Sequence, residues 1–386
     1  MRAPNGSFLL WATGVPLRRC GGSMRCVERA RRATKNPLRE GGHPLSLQPF
    51  KLRNPGEGGH PGSRAFRRGS TALEKPMPCA TVHMAVAGRV LRDWRDTPAR
   101  APVSLARPGV EEAFLHGAMA PDVGFIPGTH RLVSELAHYV QPGDLARALL
   151  RTAGSAQEEA FAWGWACHLL ADVEIHPVVG RAVGERLYGD RSRRVDAMED
   201  VGTHVSLEVG VDVAVLRLEE DLPRPPGRPF FPVGGRVRHL IRALAETYDL
   251  EWDPSSLTQH HVRATRLTRW WPRTLSLLPL HPSLPPGAPP PSTFLGRVTR
   301  TQNRRDALAG FLRPEAPRAW FVEAVREGIE TVAVGFRSAV ESGLGCIVNP
   351  NLETGQESRE GAGHPATDLA ARNLREARRK GLPIRG

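Results

Sequence analysis

Long apolar runs are missing from this chain. No stretch approaches the roughly 18 residues needed to span a bilayer, so no transmembrane segment is expected. Cysteine is scarce as well. Its five copies, Cys20, Cys26, Cys79, Cys167 and Cys346, are odd in number and form no Cys-x-x-Cys pair. They point neither to a disulfide framework nor to a thiolate-bound metal. Strand-like alternation is also rare, which leaves little material for a sheet. Acidic residues are thin in the first 76 positions, which hold four of the 40 Asp and Glu but fifteen of the 53 Lys and Arg. That stretch therefore carries +11 of the formal +13, and the rest of the chain carries +2. The pI near 10.5 describes a basic leader on a near-neutral body, and no stable nucleic-acid complex is expected.

Residues 1–76 are rich in Arg, Gly and Pro and lack the apolar content to offset the entropy of ordering. They are expected to be a disordered leader, or translation upstream of a true start at Met77. The opening "FLLWATGVPL" is followed by "RRCGG" and more basic chain, which fits a secretory signal poorly. The expectation is a cytoplasmic protein. Residues 77–350 form the expected helical domain, and 351–386 a polar, disordered tail.

Within 77–350 the apolar spacing is helical almost throughout, and the fold class expected is all-α. Thr81 is a candidate N-cap for a helix reaching about Trp94. "VSELAHYV" and "DLARALLRTAG" read as further helices, and "AQEEAFAWGWACHLLADVEIH" as a buried central one ended by Pro177. "DAMEDVGTHVSLEVGVDVAVLRLEE" gives another of similar length, and a last helix covers about 316–341. Pro/Gly clusters at 222–235 and 276–292 are loops.

Chemistry gathers in a series of imidazoles and carboxylates: His83, Asp122, His138, His168, Asp172, His176, His204 and Glu208. His168 and Asp172 are four apart and share a helix face; His204 and Glu208 repeat that spacing. Two such pairs on packed helices can converge on one cavity. His176 precedes Pro177 and is expected to project from a helix end. Histidine and carboxylate donors without thiolate suit zinc, and more than four of them imply more than one ion. Taken singly, either pair is more often an ordinary i,i+4 surface interaction. The apolar surroundings of His168 argue against that for the central pair.

The order of these residues resembles the bacterial zinc-dependent phospholipase C family, and more distantly the single-strand-specific zinc nucleases that share its fold. The family's early histidine falls on His83 in "ATVHMAVAG", its Pro-Asp loop on "GAMAPD" and Asp122, and its His-aromatic pair on His138 in "AHYVQPGD". The central His-x-x-x-Asp falls on His168 and Asp172, the next histidine on His176, and the closing His-x-x-x-Glu on His204 and Glu208. The resemblance implies a multi-helix bundle with all eight residues as metal ligands and the site between helices. It implies a phosphodiester substrate, a phospholipid headgroup among the possibilities, attacked by metal-activated hydroxide, with Asp122 orienting the water. His168, Asp172 and His138 would hold one ion, and His176, His204 and Glu208 the other. His83 would share Asp172 at a third.

His130 competes with His138 but lacks the following aromatic. His116 reads as a loop or supporting residue, and Trp163, Trp165, Trp270 and Trp271 as core. Two rival readings remain: a single-strand nuclease-like phosphodiesterase, and a helical protein with structural zinc.

Overall fold

The computed structural model describes residues 79–126, 129, 131–233, 235–287, 302–345, 347–357, 363–381 and 383–384. The leader 1–76, Cys20, Cys26, His130 and Cys346 lie outside the described residues. Among those described the protein is helical, as expected, apart from a two-stranded antiparallel pair, Pro350–Asn351 with Gln356–Glu357. The helices before the central one are α1 (Ala80–Asp96), α2 (Val110–Met119), α3 (Leu132–Tyr139) and α4 (Pro142–Thr152). A 3-10 turn, Ala120–Phe125, follows α2. Then come α5 (Ala156–Tyr188), α6 (Val201–Leu218), α7 (Val237–Tyr248), α8 (Pro254–Thr268) and α9 (Trp271–Leu277). The chain closes with α10 (Gln302–Leu312), α11 (Ala319–Glu341) and α12 (Pro365–Lys380).

Helix α5 is the axis of the molecule. It starts at Ser155, whose hydroxyl accepts from the Glu158 N–H at 3.2 Å, while the Glu158 carboxylate accepts from the Gly154 N–H at 2.7 Å. This is a reciprocal cap. It ends at Gly189, whose φ of 74° suits a residue without a Cβ. Helices α2, α4 and α11 pack directly on it. Against α2 the approach is backbone to backbone. A Cβ on Gly164 would lie 2.0 Å from the Phe114 carbonyl oxygen, and one on Gly117 2.0 Å from that of Phe161. Two glycines in reciprocal positions therefore set this crossing. Trp94, Phe114, Phe161, Trp163, Trp165 and Phe336 fill the surrounding core, all buried.

Four expectations are corrected. Pro177 does not end the central helix, which runs through it to Tyr188. Thr81 is not the cap of α1. Cys79 takes that place with a left-handed φ of 67°, and the buried Asp212 carboxylate accepts from the Thr81 and Val82 N–H groups at 3.0 and 3.1 Å. A carboxylate from another helix thus satisfies donors that a local cap would otherwise meet. Trp270 is half-exposed, against guanidinium groups of Arg269 and Arg273, whereas Trp271 packs on the core. The tail contains α12, which buries Leu374 and packs on α3.

Candidate metal centre

Asp172 is the hub. It sits on α5 one turn beyond His168 and one turn before His176, so the three share a face. Helix α1 brings His83, the 3-10 turn brings Asp122, and α3 brings His138. Four imidazole Nε2 atoms surround the Asp172 carboxylate, two at each oxygen. His83 and His176 lie 3.2 and 3.3 Å from Oδ1, and His168 and His138 lie 3.2 and 3.3 Å from Oδ2. Asp122 adds an oxygen 3.1 Å from His138 Nε2, with a second oxygen 3.8 Å from His83 Nε2. The His83 and His168 rings stack at 3.9 Å. Asp172 and His168 are each 1 % exposed; the Asp122 and His176 side chains, at 10 % and 15 %, form the solvent edge.

Backbone carbonyls fix the histidines that matter most. His138 Nδ1 lies 2.7 Å from the Ser134 carbonyl oxygen, and His168 Nδ1 lies 2.9 Å from that of Ala118. A carbonyl only accepts, so each Nδ1 donates to it and each Nε2 is the ring nitrogen turned to the centre. Burial opposes ionisation of Asp172, but His168, His176, His83 and His138 outweigh it and hold the carboxyl well below the usual range. Asp122 is lowered in the same way against its burial, first by His168 and then by His138. Burial would depress His138, yet the Asp122 and Asp172 carboxylates that face its ring push it up to about 9. Burial and the neighbouring His83 lower His168.

His204 and Glu208 stand together on α6, His204 Nε2 being 2.9 Å from Glu208 Oε1. A residue absent from the sequence reading links them to the hub. Glu353 sends Oε1 to 3.6 Å from His204 Nε2 and Oε2 to 3.7 Å from His176 Nδ1. His176 is therefore mid-helix and turned inward, not projecting from a helix end. It lies between Asp172 and Glu353.

Residues 82–261 match the family described as zinc dependent phospholipase C. That segment is a little under half of the chain, and over it the protein is similar to the zinc-dependent phospholipase C family. The matched span holds all eight residues singled out from the sequence, whereas Glu353 lies beyond it. A protein of Archaeoglobus fulgidus, described as uncharacterized, is 29% identical over 109 residues, 28% of this chain and 32% of that protein. The match thus spans about a third of that relative. No solved structure gives a significant match.

The residues fit the metal that names the family. Neither oxygen of Asp172 meets a donor in hydrogen-bonding geometry, and His83 Nδ1 and His204 Nδ1 are similarly unsatisfied. Buried polar atoms in such numbers call for a further partner. Ligand atoms about 2.0–2.1 Å from a tetrahedral ion stand about 3.3 Å apart, the spacing found around Asp172. Among the described residues, three sets of three bring donor atoms within 4.8 Å of one another: His83, His168 and Asp172; Asp122, His138 and His168; His176, His204 and Glu353. No helix among the described residues is long and apolar enough to cross a membrane.

Buried histidines outside this centre behave differently. His116 lies 2.7 Å from the Arg228 carbonyl oxygen and 5.2 Å, ring to ring, from the buried His261. Burial lowers His116 to about 4 and His261 well below its ordinary range. Both are neutral core residues. Cys79 and Cys167 are free, buried thiols.

Proposed function

We propose that the protein is a zinc-dependent phosphodiesterase in the manner of phospholipase C, taking a phosphoester that includes phospholipid headgroups in its class. The observation that carries this is the Asp172 carboxylate, buried and ringed by four inward-facing imidazoles at 3.2–3.3 Å. His138, His168 and Asp172 would hold one ion, with Asp122 beside them. His176, His204 and Glu208 would hold a second, and His83 with Asp172 a third. Bound zinc supplies Lewis acidity, making water ionisable near neutral pH and offsetting charge on phosphoryl oxygens.

The chain's own residues do the rest. Asp172 offers an oxygen to each side of the centre and so fixes the spacing of the donors. The carbonyls of Ser134 and Ala118 hold His138 and His168 in the tautomer that leaves Nε2 free. Asp122 remains an anion at neutral pH and stands at the solvent edge. There it orients the attacking water and accepts its proton. His83, His138, His168 and Asp172 are buried away from bulk water, which strengthens every electrostatic contact among them.

Zinc analysis and turnover test this together. Wild-type protein is expected to hold at least two zinc ions and to hydrolyse a chromogenic phosphodiester. His168→Ala is expected to lose zinc and at least about a hundredfold in rate, in the range a lost electrostatic group costs. Bound zinc with no turnover of lipid, single-stranded nucleic acid or chromogenic ester would replace this reading with structural zinc. Preferred cleavage of single-stranded nucleic acid would replace phospholipid with the nuclease reading.

A further inference from the structure

We propose that residues 347–357, beyond the segment matched to the family, strap the metal centre and supply Glu353 as a ligand to the ion held by His176 and His204. This rests on the zinc reading above and adds a donor that the His-x-x-x-Glu spacing does not reveal.

The strap is built to deliver that side chain. Asn351 caps the turn: its side-chain oxygen accepts from the Glu353 and Thr354 N–H groups at 2.9 and 3.2 Å, and its amide donates to Thr367 on α12 at 3.0 Å. Leu352, fully buried, donates its N–H to the His138 carbonyl at 3.1 Å. The segment is thus bonded to the same residue whose ring faces Asp172. Gly355 has a φ of 68°, and a Cβ there would lie 3.0 Å from the Val173 carbonyl oxygen. Pro177 has no N–H, so Val173 is the carbonyl that α5 leaves without its helical donor. The proline opens a place on α5, and a glycine of the strap lies against it.

Glu353 enters from this turn. The Ala197 N–H donates to its Oε1 at 3.0 Å, and the Tyr139 hydroxyl donates to Oε2 at 3.5 Å. The same carboxylate lies 3.6 Å from His204 Nε2 and 3.7 Å from His176 Nδ1. A carboxylate buried at 8 % exposure is unfavourable unless charge balances it. An ion between two imidazoles and the Glu353 and Glu208 carboxylates supplies that balance. His176, His204 and Glu353 bring donor atoms within 4.8 Å of one another, and Glu208, 2.9 Å from His204 Nε2, stands beside them, the imidazole and carboxylate donors that zinc takes.

The test uses the full chain. Zinc content and affinity are measured for wild type and Glu353→Gln in buffered zinc, and amide hydrogen exchange of 351–357 with and without zinc. Glu353→Gln is expected to lose one zinc equivalent, or about tenfold or more in affinity for it. In wild type, zinc is expected to slow exchange across 351–357. Wild type that holds no zinc overturns the metal reading and this inference together. Zinc-loaded wild type beside an unchanged Glu353→Gln overturns this inference alone. Should Glu353→Gln fail to fold, exchange in wild type decides: amides that zinc leaves unchanged overturn the strap.

Discussion

His116 and His138 show how one residue type is used in two opposite ways. Both are buried, and each lies close to a backbone carbonyl. His138 also faces two carboxylates, which push it up to about 9; His116 has none, and burial lowers it to about 4. The consequence for stability has a definite sign. An unfolded histidine titrates near 6.5, so between pH 6.5 and about 4 the unfolded chain binds a proton that native His116 refuses. Its contribution is present in full above pH 6.5 and is lost as pH falls toward 4, about 3 kcal/mol over the whole window. Glutamine can donate to the Arg228 carbonyl without titrating. In metal-free protein, His116→Gln should therefore lose about 2 kcal/mol less than wild type between pH 7 and pH 5 in denaturant melts. Equal losses would show that His116 does not set this slope.

Elements were more legible than their ends, and for physical reasons. The i,i+4 spacing of His168 with Asp172, and of His204 with Glu208, is a consequence of helix pitch and survives folding intact. Pro177 misled because proline's cost is local: one hydrogen bond and one clash. A 33-residue helix packed on five other helices absorbs that cost. Glu353 left no periodic signal, since it lies on a turn, and only the flanking Asn351 and Gly355 hint at built backbone. The glycines of α2 and α5 were equally silent. At Gly164 an alanine must push the Phe114 carbonyl away from 2.0 Å. One turn on, His168 makes its bond to Ala118. Gly164→Ala is expected to cost about 3 kcal/mol by overpacking, more than the roughly 1 kcal/mol alanine gains in helix propensity. It should also weaken zinc binding. Gly335→Ala on α11, with no atom within 4 Å of the added carbon, should be neutral or stabilising. Similar melting temperatures for the two variants would contradict the close crossing.

Across the whole molecule, the candidate metal centre is where four separate stretches of chain meet. Helix α1, the segment 120–138, the α5–α6 pair and the strap at 353 each contribute side chains. An unfolded chain holds these donors far apart, so zinc held by them would bind the native state almost alone, and its binding free energy would become folding free energy. At a free zinc concentration about 100 times Kd, one ion adds about 2.7 kcal/mol, worth roughly 3–4 °C in Tm for a chain of this size. A chelator should lower Tm by that amount and zinc should restore it, while magnesium, which prefers oxygen donors in octahedral geometry, should not. The increment should also shrink in acid. Zinc must displace the proton that His138 holds up to about 9, so each unit of pH below that value costs about 1.4 kcal/mol for that one proton. A zinc-induced rise in Tm that is as large at pH 6 as at pH 8 would mean that the ion does not bind where His138 points.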